Sequence, residues 1–125
     1  PDDPHVMNYL AYSWIDKGIN LDKGLEMLIK ANSIKQNDGY IIDSLGWAYY
    51  AKKDYVKAEK FLQRAVELLP TDPIINDHYA DNLWMLRKTI QARYIWSSVL
   101  KLDSTEQELK DEVSKKLIFG ITNKL

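Results

Sequence analysis

The chain contains no cysteine, and this absence excludes disulfide bonds and metal sites built from thiolates. It also lacks an excess of either charge, because 17 basic residues stand against 18 acidic ones. Such a balance gives no general attraction to nucleic acid or to an anionic membrane. No apolar run approaches the roughly 18 residues of a membrane-spanning helix, so we expect no membrane insertion. The absence of cysteine suits either side of a membrane, and the compartment stays open, with the cytoplasm slightly favoured over export.

The motifs of common enzyme and metal sites are missing as well. There is no glycine-rich phosphate loop, no nucleophile elbow and no H-E-x-x-H pattern. The two histidines, His5 and His78, lie far apart, and His78 does not face Asp77 because adjacent residues on a helix point in different directions. We therefore expect no enzyme, no metal site and no cofactor. A bound metal or a buried histidine–carboxylate pair would count against this expectation.

The stretch from Asp43 to Pro70 carries the most informative pattern. Small residues alternate with large apolar ones at helical spacing, with one interruption near Lys53, which predicts two closely packed helices. The positions within the stretch are, in order, Leu45, Gly46, Tyr49, Ala58, Leu62, Ala65 and Pro70, and Ile42 directly precedes it. This spacing resembles that of the tetratricopeptide repeat (TPR) family, in which W-x2-L-G-x2-Y precedes A-x3-F and a proline within about 34 residues. Ile42 and Leu62 stand where Trp and Phe are usual, and a repeat core tolerates both changes.

The pattern recurs on both sides of this stretch. Towards the C-terminus it is matched by Asp77, Ala80, Ala92 and Val99. Towards the N-terminus it is matched, with one extra residue in the turn 18–20, by Leu10, Ala11, Gly24 and Ala31. The resemblance implies an all-α fold: a right-handed α-solenoid of three TPR-like helical hairpins with a C-terminal capping helix. We expect a single repeat domain over residues 1–125, with repeats at about 4–38, 39–72 and 73–104 and the capping helix at about 105–119.

Local signals predict where the helices begin and end. Asp54 and Asp72 are typical N-caps, and Gly18 is typical of a helix C-terminus. Ser104 with Gln107 predicts a capping box at the start of the last helix. That helix is apolar on one side only, so it is expected to cover the last hairpin like a lid, through Leu109, Val113 and Leu117.

The ends of the sequence favour a fragment of a larger TPR protein, of bacterial style. Residues 1–4 repeat the proline and aspartate pattern of the joint at 70–73, so we expect a preceding unit. Residues 121–125 are expected to form a frayed tail or to continue into a further segment.

A candidate binding site follows from the side of the first helices that lines the concave face in stacked hairpins. The predicted partner-binding residues are Asn8, Tyr12, Asp43, Trp47, Tyr50, Asp77, Asp81 and Trp84. They would give a groove with an aromatic floor and an acidic pattern, where TPR proteins bind an extended peptide or a partner helix. Large aromatic side chains are enriched among binding hot spots. Asp81 is the strongest acidic candidate, because aspartate is a poor helix former in mid-helix.

Structural roles compete with this interpretation. Trp47, Tyr50 and Trp84 would also serve to pack adjacent first helices. Asp43 and Asp77 lie near helix N-termini, where a carboxylate complements the helix dipole. Trp96, on the second helix of the third hairpin, is expected to be core.

The partner is expected to be a protein or peptide with basic or aromatic residues. One TPR subclass grips a ligand carboxylate with inward Lys, Arg and Asn; of the matching positions here only Asn8 has the required type, and the aspartates would repel such a ligand. Helical repeats that read RNA need a basic inner face, so no nucleic-acid partner is expected. The alternatives are a structural scaffold or oligomerisation segment that self-associates, and a helper region of a catalytic protein.

Overall fold

The computed structural model describes residues 2–122, and within this range it contains seven α-helices and no β-strand. The helices are α1 (Pro4–Lys17), α2 (Leu21–Ile34), α3 (Gly39–Ala51), α4 (Tyr55–Leu68), α5 (Pro73–Met85), α6 (Thr89–Lys101) and α7 (Gln107–Phe119). The all-α prediction is confirmed. None of the described helices has the length and apolar character that a membrane crossing requires.

The helices form a repeating stack. Three hairpins pair α1 with α2, α3 with α4, and α5 with α6, and each second helix also contacts the first helix of the next hairpin. Since α1 contacts α3 and α3 contacts α5, the first helices form one continuous surface, which we call the inner wall. The fold is a helical repeat solenoid, as expected. The exact repeat boundaries and the single-domain assignment stay predictions.

Each hairpin turn contains a residue in the left-handed region, and the first turn contains a second one, Asn20, with a φ angle of 50°. Gly18, Lys53 and Arg87 adopt positive φ angles of 74°, 65° and 67°. Glycine suits this left-handed region, and at Gly18 it ends α1 as predicted. Two residues separate Gly18 from α2, whereas Asp54 alone separates Lys53 from α4. The extra residue of the first repeat therefore lies in the turn, where an insertion disturbs no helix packing.

The N-caps of the hairpins follow the sequence signals. The carboxylate of Asp54 accepts a hydrogen bond from the backbone N–H of Lys57, and that of Asp72 from Ile75. The capping box at Ser104 is wrong, because Glu106 precedes α7 and makes no side-chain cap. The buried hydroxyl of Thr105 instead donates to the carbonyl of Val99 at 2.6 Å, which closes the turn and delays the start of α7.

The core consists of small and large residues that fit between paired helices. Leu45 and Trp96 are buried as predicted, and α7 covers the last hairpin by packing Val113 against Trp96 and its neighbours. Gly46 of α3 lies against Leu62 of α4; a Cβ at Gly46 would lie 2.8 Å from Leu62 Cγ and 3.1 Å from its backbone nitrogen. This contact leaves no room for a side chain.

Gly120 and Ile121, which follow α7, pack against the core. Ile121 packs on the cluster around Trp96, so the expected frayed tail is wrong at this residue. Burial of its apolar side chain holds it there. The rest of that expectation, at residues 123–125, and Pro1 of the predicted joint lie outside the described residues.

Replacing Gly46 with alanine is expected to lower the free energy of unfolding by about 1–3 kcal/mol through overpacking against Leu62. Alanine favours helix formation over glycine by ~1 kcal/mol, so helix propensity alone would make the variant more stable. A decrease in the free energy of unfolding would therefore come from the steric contact with Leu62. Urea denaturation measures it, with exposed Ser114→Ala as the control for helix propensity. When Leu62 is also replaced with alanine, Gly46→Ala should lower the free energy of unfolding by less, because the side chain that the new methyl group contacts is smaller. A Gly46→Ala variant as stable as the wild type would contradict the packing described here.

Candidate functional site

The inner wall holds a buried histidine–carboxylate pair at its centre. Nδ1 of His78 lies 3.0 and 3.1 Å from the two carboxylate oxygens of Asp43, and Nε2 lies 3.4 Å from the hydroxyl of Tyr12. The imidazole stacks on Trp47, with ring centroids 3.8 Å apart, and Trp47 stacks in turn on Tyr50 at 4.4 Å. Helices α3 and α5 thus form one aromatic stack, and α1 contributes Tyr12, whose ring is tilted by 39° relative to the imidazole at a centroid distance of 6.0 Å.

Burial and charge act on this stack in opposite directions. Burial by itself lowers the pKa of His78, but the carboxylates of Asp43, Asp77 and Asp81 together raise that pKa above its ordinary value. Burial, assisted by nearby carboxylates, also raises the pKa of Tyr12 and Tyr50, so both phenols stay neutral. The net effect is that this site favours the protonated imidazole more than water does.

A second charged cluster lies next to the stack and includes a residue from α7. Nζ of Lys116 donates to Asp77 at 2.8 Å and to Asp81 at 2.7 Å. The indole N–H of Trp96 donates to Asp81 at 3.2 Å. Burial and the neighbouring charge of Asp77 raise the pKa of Asp81 to about 6, against the opposing effect of Lys116. Burial by itself lowers the pKa of Lys116, but the two carboxylates outweigh burial and raise it.

Trp84 is covered by residues that follow α7. A Cβ at Gly120 would lie 2.1 Å from Cζ2 of Trp84, so only a glycine backbone fits over the ring. The guanidinium carbon of Arg93 lies 4.9 Å from the Trp84 ring centroid, and Trp96 packs beside it at 5.6 Å. This part of the inner wall is filled by the chain itself.

The predicted site residues divide into two groups in the structure. Tyr12, Asp43, Trp47 and Tyr50 meet around His78, whereas Asp77, Asp81 and Trp84 lie under the covering of α7 and residues 120–121. All three aspartates already have a cationic or histidine partner within the chain. Their role in partner binding stays a prediction.

Sequence reasoning missed two residues that decide this geometry. In the sequence His78 adjoins Asp77, but its hydrogen-bonding partner in the fold is Asp43, 35 residues earlier. The repeat offers a signal here, since Asp43 and Asp77 are equivalent residues one period apart. Lys116 lay on the lid helix, and nothing in its local pattern distinguishes it from the exposed Lys115.

An open part of the inner wall remains beside the filled part. One cavity of about 270 Å³ lies across α1, α3 and α5, and its lining includes Asn8, Tyr9, Tyr12, Tyr40, Asp43, Asp72 and Ile74. A second, of about 540 Å³, lies between α5 and α7, and its lining includes Asp72, Ile74, Glu106, Glu108, Leu109 and Glu112. The cavities share Asp72 and Ile74, so they are adjacent, and we call the two together the open groove. No lysine or arginine lines either cavity.

Comparison with known proteins agrees with the fold. The family model described as tetratricopeptide repeat matches residues 40–72. Over 70 residues the chain is 30% identical to the TPR repeat-containing protein PA4667 of Pseudomonas aeruginosa, and this match covers 56% of the chain and 12% of the relative's length.

Two solved structures are similar over most of their length. The first TPR of Spaghetti (RPAP3), bound to the HSP90 peptide SRMEEVD, superposes with a TM-score of 0.76 at 18% identity, over 90% of this chain and 89% of that one. The type III secretion chaperone SycD of Yersinia enterocolitica, in complex with a peptide of the translocator YopD, gives 0.76 at 17% identity, over 90% and 88%. At these identities the likeness concerns the fold.

The melting temperature should fall as the pH rises above about 6.5, the ordinary pKa of histidine. Because the pKa of His78 is raised in the folded chain, its contribution to stability is complete below that value and is lost as pH rises through the folded pKa. Asp81 acts in the same direction at lower pH, since its pKa is also raised.

Thermal melts monitored by circular dichroism across this pH range test the assignment. His78→Gln should remove most of the dependence above pH 6.5, whereas the exposed His5→Gln should retain it. A wild-type melting temperature that is constant or rises over this interval would contradict the pairing of His78 with Asp43.

Proposed function

Because the chain is a tetratricopeptide repeat protein, we propose that it is a protein-interaction module whose open groove binds an extended segment of a partner. The observation that carries this proposal is that the two adjacent cavities combine aromatic rings, in the first, with carboxylates, mostly in the second, and that no lysine or arginine lines either of them. Tyrosine offers large contact area with few rotatable bonds, as binding hot spots require.

The exposed tyrosines of the groove support contact with a ligand. Tyr9 is 79% exposed and Tyr40 is 55% exposed, and both lie next to Asn8 at the start of the groove. Exposed rings in a concave surface are available for stacking, whereas those of Trp47 and Tyr50 already stack within the chain. We therefore propose that the ligand contacts Asn8, Tyr9, Tyr12 and Tyr40 directly. The deeper predicted residues would hold these side chains in place.

The charge of the groove defines the chemistry of the partner. Asp72, Glu106, Glu108 and Glu112 line it, so a segment with lysine or arginine between apolar or aromatic residues is favoured. The HSP90 peptide in the RPAP3 complex is different, since its printed sequence SRMEEVD carries three acidic residues. A ligand of that kind would be repelled here.

The proposal includes no catalytic step. A buried histidine–carboxylate pair such as His78 and Asp43 would count against a non-catalytic role. Here, however, both side chains are more than nine-tenths buried. The imidazole is stacked on Trp47, and its two nitrogens face Asp43 and Tyr12. With its ring covered and both nitrogens occupied, His78 serves better as a link between first helices than as an acid or base for a substrate.

Tyr9→Ala and Tyr40→Ala should each weaken binding of a basic peptide by about tenfold, through loss of a stacking partner. The probe is a fluorescein-labelled peptide in which lysine alternates with leucine and tyrosine, measured by fluorescence anisotropy. Tyr94→Ala on α6 is the matched control, because Tyr94 is 74% exposed but lies outside the groove. A matched peptide with glutamate for lysine should not bind. Equal effects of all three substitutions, or equal binding of both peptides, would refute the proposal.

A second candidate is a scaffold that associates with itself through α1. Val6 and Leu10 are 60% and 40% exposed, whereas their repeat counterparts Ile41 and Leu45 are buried against the preceding hairpin. Sedimentation velocity should then reveal association that rises with concentration and that Leu10→Asp abolishes. A wild-type chain that stays monomeric at high concentration would rule this candidate out.

A further inference from the structure

His78 contacts two residues that line the first cavity of the open groove. Its Nδ1 lies 3.0 and 3.1 Å from the carboxylate oxygens of Asp43, and its Nε2 lies 3.4 Å from the hydroxyl of Tyr12. Asp43 on α3 and Tyr12 on α1 both line the cavity of about 270 Å³. A change in the charge of the imidazole is therefore transmitted to the groove through these two side chains.

The carboxylate of Asp43 determines which nitrogen of His78 keeps its proton. An ionised carboxylate accepts hydrogen bonds but donates none, so Nδ1 carries a hydrogen in both the neutral and the charged imidazole. Titration of His78 therefore takes place at Nε2, the nitrogen that faces Tyr12. The contact with Asp43 thus directs each gain or loss of a proton towards the hydroxyl of Tyr12.

The proton at Nε2 determines what the Tyr12 hydroxyl offers to a ligand. When Nε2 is protonated it donates to the Tyr12 oxygen, which leaves the O–H of Tyr12 free to donate elsewhere. When Nε2 is unprotonated it accepts from that O–H, and the oxygen then has only lone pairs to offer. Burial and nearby carboxylates raise the pKa of Tyr12, so the phenol keeps its own hydrogen in both states.

The same proton changes the charge beside the cavity. With His78 charged, the pair that it forms with Asp43 is neutral overall, and with His78 neutral the pair carries one negative charge. The other charged groups that act on His78 or Tyr12 are Asp77 and Asp81 of α5, which share Lys116 of α7, together with Asp16 of α1 and Asp72. Loss of the proton therefore makes this end of the groove more negative and removes a hydrogen-bond donor from it.

A link between first helices does not need a group that titrates. One repeat earlier, the residues equivalent to Asp43 and His78 are Asn8 and Ser44, and neither side chain changes its charge near neutral pH. Ser44 is buried like His78, so a buried polar residue is common to both junctions. The titratable imidazole is particular to the junction of α3 and α5, where its partners line the groove.

We propose that His78 is a proton-operated regulator of the open groove, and that loss of its proton prepares Tyr12 and Asp43 to bind a basic segment. This regulation rests on the proposed function, because its ligand is the basic segment of that same groove. Once the positive charge of the imidazole is gone, a ligand ammonium or N–H is attracted by Asp43 and can donate to the Tyr12 oxygen. By linkage, a basic ligand must in turn favour release of the proton from His78.

The first measurement follows the imidazole itself, without a ligand. In a His5→Gln chain labelled with ¹⁵N-histidine, His78 is the only histidine, and its nitrogen chemical shifts report its charge and its tautomer. Nε2 should titrate while Nδ1 stays protonated. Tyr12→Phe, which removes only the hydroxyl, should shift the midpoint, whereas Tyr94→Phe on the exposed side of α6 should not. A His78 that keeps one charge state wherever the chain is folded, or that loses its proton from Nδ1, would overturn the proposal.

The second measurement counts protons during binding. The lysine-containing peptide described above is used without its label and with an acetylated N-terminus, so that its own groups do not titrate near neutral pH. Calorimetric titrations at one pH, in two buffers of different ionisation enthalpy, should reveal release of a fraction of one proton per bound peptide. The affinity should rise at least about fivefold between the pH at which His78 is mostly charged and the pH at which it is mostly neutral.

His78→Gln should bind the peptide without this proton release, whereas the exposed His5→Gln should behave like the wild type. Any dependence on pH that His78→Gln retains near pH 6 belongs to Asp81, whose pKa is about 6. In the wild type the release should be largest close to the midpoint that the nitrogen shifts give for His78. A release that does not follow this midpoint overturns the regulation, even where His78→Gln does not fold.

The outcomes separate the regulation from the proposed function. Peptide binding without proton release, or with proton uptake, overturns the regulation and leaves the proposed function standing. Equal release by the wild type and by His78→Gln also overturns it. Failure of the peptide to bind at any pH removes the proposed function and its regulation together.

Discussion

The close packing of the two helices within each hairpin determines where every functional side chain lies. Gly46 admits Leu62 so closely that α3 and α4 behave as one unit, and the alanines at equivalent positions do the same elsewhere. Because each hairpin has nearly the same shape, stacking brings the first helices side by side. His78, which directly follows Asp77, the repeat equivalent of Asp43, then comes within hydrogen-bond distance of Asp43 on the neighbouring first helix.

This stacking concentrates carboxylates on the inner wall, and the structure compensates each of them. Asp43 is paired with His78, and Asp77 and Asp81 share Lys116. A buried carboxylate without a partner would cost several kcal/mol, so pairing of this kind is required rather than optional. The acidic residues at the rim between α5 and α7 line the second cavity instead, and they are the ones that the proposed function uses.

The parts of the fold that depend on local sequence could be predicted, and those that depend on tertiary contacts could not. Helix periodicity, the N-cap at Asp54 and the core position of Trp96 are encoded within one or two turns of chain. The contact of Lys116 with Asp77 spans 39 residues and depends on the angle at which α7 leaves α6. The position of Trp84 under Gly120 depends on the same angle, so the sequence alone left that ring in an apparently open groove.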